Sequence, residues 1–454
     1  MEKMTLARVA ALIGSGAYTD HPDTVVEGLS ADSRSVSRGS LFIPLVGARF
    51  DGHDYIDSAY ASGAAAAITH KSYSGDCPTV KVYDTMSALT ALAAGYRASF
   101  SPIVTGITGS VGKTTTKELT AAVMSRKYTT HKTQGNKNNE IGLPLTLMQL
   151  ESRHGAAVIE MGMSDFGEIS RLSRLARPDI AVITNVGTSH IEFLGSREGI
   201  ARAKSEIAEG MTEGSDIIIP SDEPLLKGRK EFQKLKIHTF GLENADYTAQ
   251  NVRLYDDGSE FDICFEGGSV KACLRYAGRH NVLNALAAFA AGISAGVAPL
   301  DAAQGLYDSA PEGVRQRIYT SGEYRIYSDC YNANPESVKV ALDVLGDWKG
   351  RRIAVLGDML ELGDYSEKAH REVGVYAAGK ADILVVCGGM RGVTASGAAE
   401  GGMSAEKIFT TDSEAAASLL KELSREGDMI LFKGSRGMKM EKITDEFLGE
   451  ATNE

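Results

Sequence analysis

Apolar runs of strand length alternate with helical segments between residues 100 and 220. The runs are PIVTGIT, AAVIEM, DIAVITNV and DIIIP, and each is closed by Gly, Asn, Ser or Pro. Continuous apolar strands that alternate with helices are typical of a parallel sheet covered on both faces. A second series with the same pattern, RIYSD, RIAVLGD, DILVVCGG and DMILFKGS, follows PEGVRQR. The chain is therefore predicted to be an α/β protein with more than one parallel sheet.

The length of the chain sets the number of domains that these sheets belong to. With 454 residues and about 150 residues per domain, three domains are expected. The first 80 or so residues mix short strands with Ala/Gly-rich helical pieces, and residues 247–276 carry Asp-Gly and Gly-Gly turns that predict β-hairpins. We therefore predict a small N-terminal α/β domain at 1–83, a central parallel-sheet domain at 84–313 and a Rossmann-like α/β domain at 314–454.

Composition excludes several classes of function. The net charge of −11 gives no global basic field for nucleic acid or anionic lipid. The five cysteines are scattered without a CxxC pair. This pattern indicates neither a disulfide framework nor a zinc site, and it favours a reducing compartment. No apolar run approaches the ~18 residues of a membrane span, and MEKMTLARVAALIGSG predicts an amphipathic helix and no signal peptide. We expect a cytoplasmic monomer with neither nucleic-acid binding nor membrane insertion.

The strongest local motif is the segment Thr108-Gly109-Ser110-Val111-Gly112-Lys113-Thr114, which lies between a predicted strand and a predicted helix. Glycines let backbone N–H groups point at phosphate oxygens, and the helix N-terminus adds partial positive charge. Lys113 would meet the β- and γ-phosphates and Thr114 would offer its hydroxyl to Mg²⁺. Ile107 occupies the position of the first glycine in the usual spacing, with Gly106 one place earlier. We predict a nucleotide-binding loop.

Two polar residues follow neighbouring predicted strands. Glu160 ends the run AAVIE and His190 comes shortly after AVITNV. Ligands of doubly wound sheets bind at the carboxyl ends of the strands, where a carboxylate suits Mg²⁺. A lone histidine more often has a structural role, and imidazole is not the preferred ligand of Mg²⁺. From the residues alone we expect Glu160, and not His190, to hold a metal ion.

Further segments, in order along nearly the whole chain, resemble the Mur ligase family. They are TQGNKNNEIGLP, EMGMSDFGEI, TNVGTSHIEFLGS, AKSEIAEG, GRHNVLNALAA, VRQR and DCYNANPES. The resemblance implies an ATP-dependent acid–amino-acid ligase of peptidoglycan synthesis. It implies that the central domain is the P-loop ATPase and that the N-terminal domain binds a UDP-sugar.

The resemblance also implies roles for individual residues. His190 becomes a second metal ligand, and Lys204, which in ARAKSEIAEG by itself favours a helix surface, becomes a carbamylated lysine that orients Mg²⁺. Asn281 or Asn284 is expected against adenine, Arg315 at the terminal phosphates and Asp329 at the ribose. The implied ATP-binding set is Gly109, Ser110, Gly112, Lys113, Thr114, Thr115, Asn281, Asn284, Arg315, Asp329 and Asn332.

Details of the sequence resemble the dipeptide-adding branch of the family. LGDMLELGDYSEKAH and FKGSRGMKME are typical of this branch. The substrates implied are UDP-N-acetylmuramoyl tripeptide, whose third residue is lysine or diaminopimelate, and D-alanyl-D-alanine. The expected substrate contacts are Ser33, Arg34, Arg49, Asp51 and His53 for the uridine diphosphate, Asn334, and Lys433, Ser435 and Arg436 for the dipeptide carboxylate.

The implied reaction passes through an acyl phosphate. Lys113, Mg²⁺ and Arg315 would neutralise charge while two anionic groups meet, and the C-terminal domain is expected to swing inward. Two rival functions stay open at this point: another amide ligase of the family, acting on the third amino acid or on folate, and a nucleotide-dependent switch.

Overall fold

The computed structural model describes residues 1–47, 49–311 and 316–449. These residues form 22 strands and 15 α-helices, arranged in sheets of two, five, six and nine strands. Within the described ranges, no helix has the length and apolar character that would let it cross a bilayer.

The N-terminal part contains a five-stranded sheet in the order β2-β7-β6-β5-β4, with β2 antiparallel to β7 and the other pairs parallel. A two-stranded sheet pairs β1 with β3. The elements are β1 (Met4–Thr5), α1 (Leu6–Ile13), β2 (Tyr18–Thr19), β3 (Val25–Val26), β4 (Leu29–Ser30), β5 (Leu41–Phe42), α2 (Ile56–Ala61), β6 (Ala66–Thr69), β7 (Thr79–Lys81) and α3 (Thr85–Arg97). The predicted amphipathic N-terminal helix is α1.

The central part is built on the nine-stranded sheet, in the order β16-β15-β14-β13-β12-β11-β8-β10-β9. Strands β8 to β14 run parallel to one another. The hairpin strands β15 and β16 extend one edge of the sheet through antiparallel pairs. The strands are β8 (Ile103–Thr108), β9 (Thr130–Lys132), β10 (Ala156–Glu160), β11 (Ile180–Ile183), β12 (Asp216–Pro220), β13 (Lys236–Gly241), β14 (Tyr247–Tyr255), β15 (Gly258–Phe265) and β16 (Gly268–Leu274). The helices are α4 (Lys113–Ser125), α5 (Gly142–Leu147), α6 (Glu168–Ala176), α7 (Ile191–Leu194), α8 (Arg197–Ser205), α9 (Arg279–Ser294) and α10 (Pro299–Asp308).

The C-terminal part is a six-stranded sheet in the order β17-β18-β22-β19-β20-β21, parallel except for the β17–β18 pair. The strands are β17 (Arg317–Ser321), β18 (Tyr324–Asp329), β19 (Arg352–Leu356), β20 (Ile383–Cys387), β21 (Ile408–Thr411) and β22 (Met429–Lys433). The helices are α11 (Pro335–Gly346), α12 (Ser366–Ala378), α13 (Arg391–Glu400), α14 (Ser413–Leu423) and α15 (Met440–Leu448).

Each large sheet buries apolar side chains on both faces. One core cluster joins the N-terminal sheet to one face of the central sheet, and a second packs α4, α9 and α10 on the other face. Two more clusters cover the faces of the C-terminal sheet. The predicted α/β class is confirmed, and the predicted hairpins prove to be an extension of the central sheet. The limits 1–83, 84–313 and 314–454 stay predictions, because the last boundary falls at residues outside the described ranges.

Candidate active site

A cleft of about 380 Å³ lies between the central and C-terminal sheets, at the carboxyl ends of β8 and β18. It brings together most residues that the sequence predicted from these two parts of the chain. The predicted residues that line it are Ser110, Gly112, Lys113, Thr114, Thr115, Glu160, His190, Asp329, Asn332, Asn334 and Lys433.

The phosphate loop joins β8 to α4, as the motif predicted. Gly112 is the N-cap of α4 in a left-handed conformation (φ 83°), and a Cβ there would lie 2.5 Å from Asn284 Oδ1. Only glycine meets both demands. Lys113 Nζ donates hydrogen bonds to Gly109 O at 2.6 Å and Ser110 O at 3.4 Å. The loop therefore curls around its own lysine at the positive end of a 13-residue helix.

Asn185, which sequence reasoning did not single out, holds the phosphate loop from the end of β11. Its Oδ1 accepts hydrogen bonds from the backbone N–H groups of Ser110 at 3.0 Å and Val111 at 2.9 Å. Its Nδ2 donates to Val111 O at 3.0 Å. The segment TNVGTSH contains this asparagine next to a predicted strand end, and that position was the available signal.

Glu160 lies at the end of β10 with its carboxylate in the cleft wall. Thr114 Oγ1 donates to Glu160 Oε2 at 3.1 Å, and Asn138 Nδ2 donates to Oε1 at 2.8 Å. The carboxylate is thus fixed beside the threonine that the loop motif assigns to Mg²⁺. Asn138 was missed, although it lies in the segment TQGNKNNEIGLP.

Lys204 is buried near the loop, contrary to what its helix suggests in isolation. Its side chain is 2% exposed on α8, and burial together with the charge of Lys113 holds the pKa of Lys204 well below its ordinary value of 10.5. His190 takes a left-handed conformation (φ 60°). Burial, followed by the charges of Lys113 and Lys204, lowers the pKa of His190 to about 4. A neutral imidazole is the form in which histidine binds metals.

Asn281 and Asn284 lie beneath the loop and do not line the cleft. Asn284 Oδ1 accepts from Thr116 Oγ1 at 3.2 Å, and Asn284 Nδ2 donates to Asn281 Oδ1 at 3.0 Å. Asn281 Nδ2 donates in turn to Gln316 Oε1 at 3.1 Å. The two asparagines therefore connect α4 to Gln316, where the described part of the chain resumes after residue 311. Arg315 lies outside the described residues, so its role stays a prediction.

Asp329 and Lys433, predicted to bind different ligands, form a buried ion pair with each other. Lys433 Nζ also donates to Asn332 O at 3.1 Å. Adjacent parallel strands explain the pairing, since Asp329 on β18 is in register with Lys433 on β22. The pair presents both side chains at the cleft wall.

The other residues predicted in the C-terminal part differ in exposure. Ser435 is buried, donates to Ala333 O at 3.2 Å and accepts from Leu360 N at 2.9 Å. Arg436 is exposed and pairs with Glu441 at 2.8 Å. Asn334 caps α11 through Ser337 N at 2.8 Å, and its Nδ2 donates to Ser189 Oγ across to the central part at 2.5 Å.

The predicted uridine diphosphate residues lie elsewhere, at the carboxyl ends of the N-terminal strands. Asp51 Oδ1 forms a hydrogen bond of 2.6 Å with His53 Nδ1, and the carboxylate also forms an ion pair with Lys71. The rings of His53 and His70 pack edge to face, with their centroids 4.3 Å apart. The pKa of Asp51 is lowered, mainly by Lys71 and then by His53. His70 and Lys71 were missed, although they directly follow the apolar run AAAAIT.

Ser33, Arg34 and Arg49 complete the set of residues predicted for the uridine diphosphate. Ser33 begins a 3-10 turn capped by Asp32, and Arg34, 88% exposed, makes a bidentate pair with Asp32 at 2.8 and 2.9 Å. Arg49 is exposed. Arg34 and Arg49 thus present two guanidinium groups to solvent, and guanidinium groups suit an anionic ligand.

Three family models match the chain in sequence. Residues 25–97 match the Mur ligase family, catalytic domain, residues 107–292 match the Mur ligase middle domain, and residues 315–436 match the Mur ligase, glutamate ligase domain.

Individual relatives match nearly end to end. The UDP-N-acetylmuramoyl-tripeptide--D-alanyl-D-alanine ligase of Bacillus subtilis (strain 168) is 41% identical and covers 99% of both chains. The protein of the same name from Escherichia coli (strain K12) is 38% identical over 93% of both. A crystal structure of MurF from Acinetobacter baumannii superposes with a TM-score of 0.91 at 32% identity, covering 99% of this chain and 100% of that one. MurF ligase from Thermotoga maritima in complex with ADP gives 0.81 at 29% identity, with coverage of 94% and 98%.

Proposed function

The chain belongs to the Mur ligase family, and from that premise we propose that it joins D-alanyl-D-alanine to UDP-N-acetylmuramoyl tripeptide with ATP, in peptidoglycan synthesis. The relatives from Bacillus subtilis and Escherichia coli carry this activity in their names and match over nearly their whole length. The observation that carries the proposal is the single cleft that the phosphate loop, Glu160 and the strand ends of the C-terminal sheet share.

The three predicted domains divide the substrates between them. Residues 1–83 hold the uridine diphosphate through Ser33, Arg34, Arg49, Asp51 and His53. Residues 84–313 hold ATP, and residues 314–454 supply Arg315, Asp329 and Asn332 to the nucleotide and Asn334, Lys433, Ser435 and Arg436 to the peptide substrates. All these parts belong to one polypeptide, so we propose a monomeric enzyme. The scattered cysteines, which include no CxxC pair, support a reducing compartment, and we propose the cytoplasm.

The donor set around Glu160 fits a Mg²⁺ ion. Within the described ranges no three His, Cys, Asp or Glu residues are grouped to hold a metal by themselves. Mg²⁺ is commonly bound by one or two carboxylates together with phosphates and water, and Glu160 with the Thr114 hydroxyl provides such a partial set. His190 would complete the protein's share. The ion would neutralise charge on the reacting phosphate.

The chemistry begins when the terminal carboxylate of the tripeptide attacks the γ-phosphate of ATP. The bond to the β-phosphate oxygen breaks, and an acyl phosphate and ADP result. The amine of D-alanyl-D-alanine then adds to the acyl carbon, and inorganic phosphate leaves from the tetrahedral intermediate. Lys113 and Arg315 offset the repulsion between the two anions, so catalysis consists mainly of positioning and charge stabilisation.

We also propose that Lys204 is carbamylated. Carbamylation needs an unprotonated amine, and the lowered pKa of this buried lysine supports that form. Incubation with ¹³C-bicarbonate should give a carbamate signal by NMR in the native protein and none in a Lys204→Arg variant.

Release of phosphate from ATP tests the proposed activity. The ligase should release phosphate only when UDP-N-acetylmuramoyl tripeptide and D-alanyl-D-alanine are both present. Single amino acids and folate substrates should not replace them. Steady hydrolysis of ATP with neither acceptor present would contradict the proposal and favour a nucleotide-dependent switch.

A further inference from the structure

A second lysine of α4 lies fully inside the protein, one turn beyond Lys113. The side chain of Lys117 is 1% exposed, and its amine lies 2.8 Å from Glu118 Oε1 and 4.0 Å from Glu160 Oε2. A buried ammonium is costly unless carboxylates neutralise it. Lys117 therefore has an electrostatic partner in the very carboxylate that the cleft presents to the nucleotide.

Glu118, the nearer partner, is itself shared. Lys132 on β9 forms an ion pair with its other oxygen. The cluster thus contains two ammonium groups and two carboxylates, and Lys117 stands between the two acids. Its charge is balanced without any ion from solvent.

The other contacts of Glu160 come from neutral groups. Thr114 and Asn138 donate hydrogen bonds to its two oxygens, and its backbone N–H donates to Thr133 Oγ1 at 3.0 Å. These bonds set the direction of the carboxylate, whereas Lys117 supplies charge behind it. A divalent cation that approached Glu160 alone would meet a fixed positive charge at short range in a poorly hydrated site.

We propose that Lys117 is a positioning residue that occupies the electrostatic place of a cation at Glu160, so that a divalent cation enters with the nucleotide and not before it. The inference rests on the proposed function for the role of Glu160. A nucleotide complex brings negative phosphates that offset the repulsion from Lys117, while a free ion brings none. Lys117 thereby selects the metal–nucleotide complex over the free metal ion at Glu160.

Binding of MnCl₂ alone to the full chain, followed by the EPR signal of free Mn²⁺, tests the inference. Lys117→Met removes the charge and keeps the length of the side chain, and the Kd for Mn²⁺ should fall at least tenfold. Glu118→Gln removes the nearer carboxylate, so that Glu160 alone is left to balance the charge of Lys117. The Kd for Mn²⁺ should therefore rise. Lys132→Met removes the other cation from Glu118 and should change the Kd less than threefold.

Opposite shifts in the Lys117 and Glu118 variants are not expected from a purely structural role, which would lower Mn²⁺ affinity in both. An unchanged Kd in Lys117→Met, or shifts of the same sign, would overturn the inference. If Lys117→Met fails to fold, Lys117→Gln removes the same charge and should show the same fall in the Kd for Mn²⁺. The Mn²⁺ binding experiment is independent of the assay for ligase activity. If the variants show these shifts in Kd but the protein joins no peptide, the proposed function is refuted and the inference about Lys117 still holds.

Discussion

Glu336 Oε1 accepts a hydrogen bond of 2.8 Å from Thr188 Oγ1, which joins the first turn of α11 to the segment after β11. A Cβ on Gly187 would lie 3.0 Å from the Glu336 carboxyl carbon, so a side chain there would crowd the carboxylate. Gly187 N also donates to Ser110 Oγ at 2.9 Å. The residue that contacts the C-terminal domain, Thr188, therefore directly follows the residue that contacts the phosphate loop, Gly187.

Glu336→Ala should weaken this docking. The loss of a hydrogen bond to a charged group costs roughly 1.5–3 kcal/mol, so we expect the KM for ATP to rise about tenfold or more while the thermal midpoint changes little. Steady-state kinetics measure the effect. Glu400→Gln, which removes a surface ion pair with Arg371, is the matched control. Equal KM values for the two variants would contradict a docking role.

Lys113→Ala should nearly abolish ligation. Loss of a single stabilising donor costs roughly 3 kcal/mol in comparable sites, which corresponds to a fall of at least a hundredfold in kcat. The phosphate-release assay measures it, with Lys227→Ala on the exposed surface as the control. A fall of less than tenfold would show that another group neutralises the phosphates.

Asn185→Asp and Asn185→Ala should separate loop support from charge. Aspartate still accepts from the N–H groups of Ser110 and Val111 but repels phosphate, so the KM for ATP should rise, while stability falls only through the lost donor to Val111 O. Alanine leaves both groups without this acceptor, at a cost of roughly 1–3 kcal/mol in stability. Thermal melting and KM distinguish the two. An aspartate variant with unchanged KM would place the phosphates away from this part of the loop.

Stability should decline in acid because of His280. Its Nε2 is buried and has no hydrogen-bond partner among the described residues. Burial lowers its pKa to about 4 from 6.5, and a side-chain hydrogen bond to Gln316 opposes this shift. The unfolded chain takes up the proton first as pH falls, so the stability contribution is full above pH 6.5 and is lost towards pH 4, by about 2 kcal/mol at pH 5.

Denaturant unfolding at pH 7.5 and pH 5 measures this contribution. His280→Asn should reduce the difference in stability between the two pH values by about that amount. An identical pH dependence in the variant and the parent would assign the acid sensitivity to other groups.

The sequence identified most of the strands and the loop because these features are local. Glycine spacing and apolar runs placed β8, α4 and the strand end at Glu160 without reference to the rest of the chain. Short strands such as β9 and β21 were missed, since three or four residues give too little pattern. The burial of Lys204 and the pairing of Asp329 with Lys433 depend on which strands become neighbours, and no local pattern reports that.

Transfer of an oxygen atom tests the central claim most directly. With ¹⁸O in the terminal carboxylate of the tripeptide, attack of that carboxylate on the γ-phosphate must leave one ¹⁸O atom in each phosphate released as the peptide bond forms. Mass spectrometry of the phosphate should show one labelled oxygen per dipeptide joined. Unlabelled phosphate, released at the rate of peptide formation, would contradict the account.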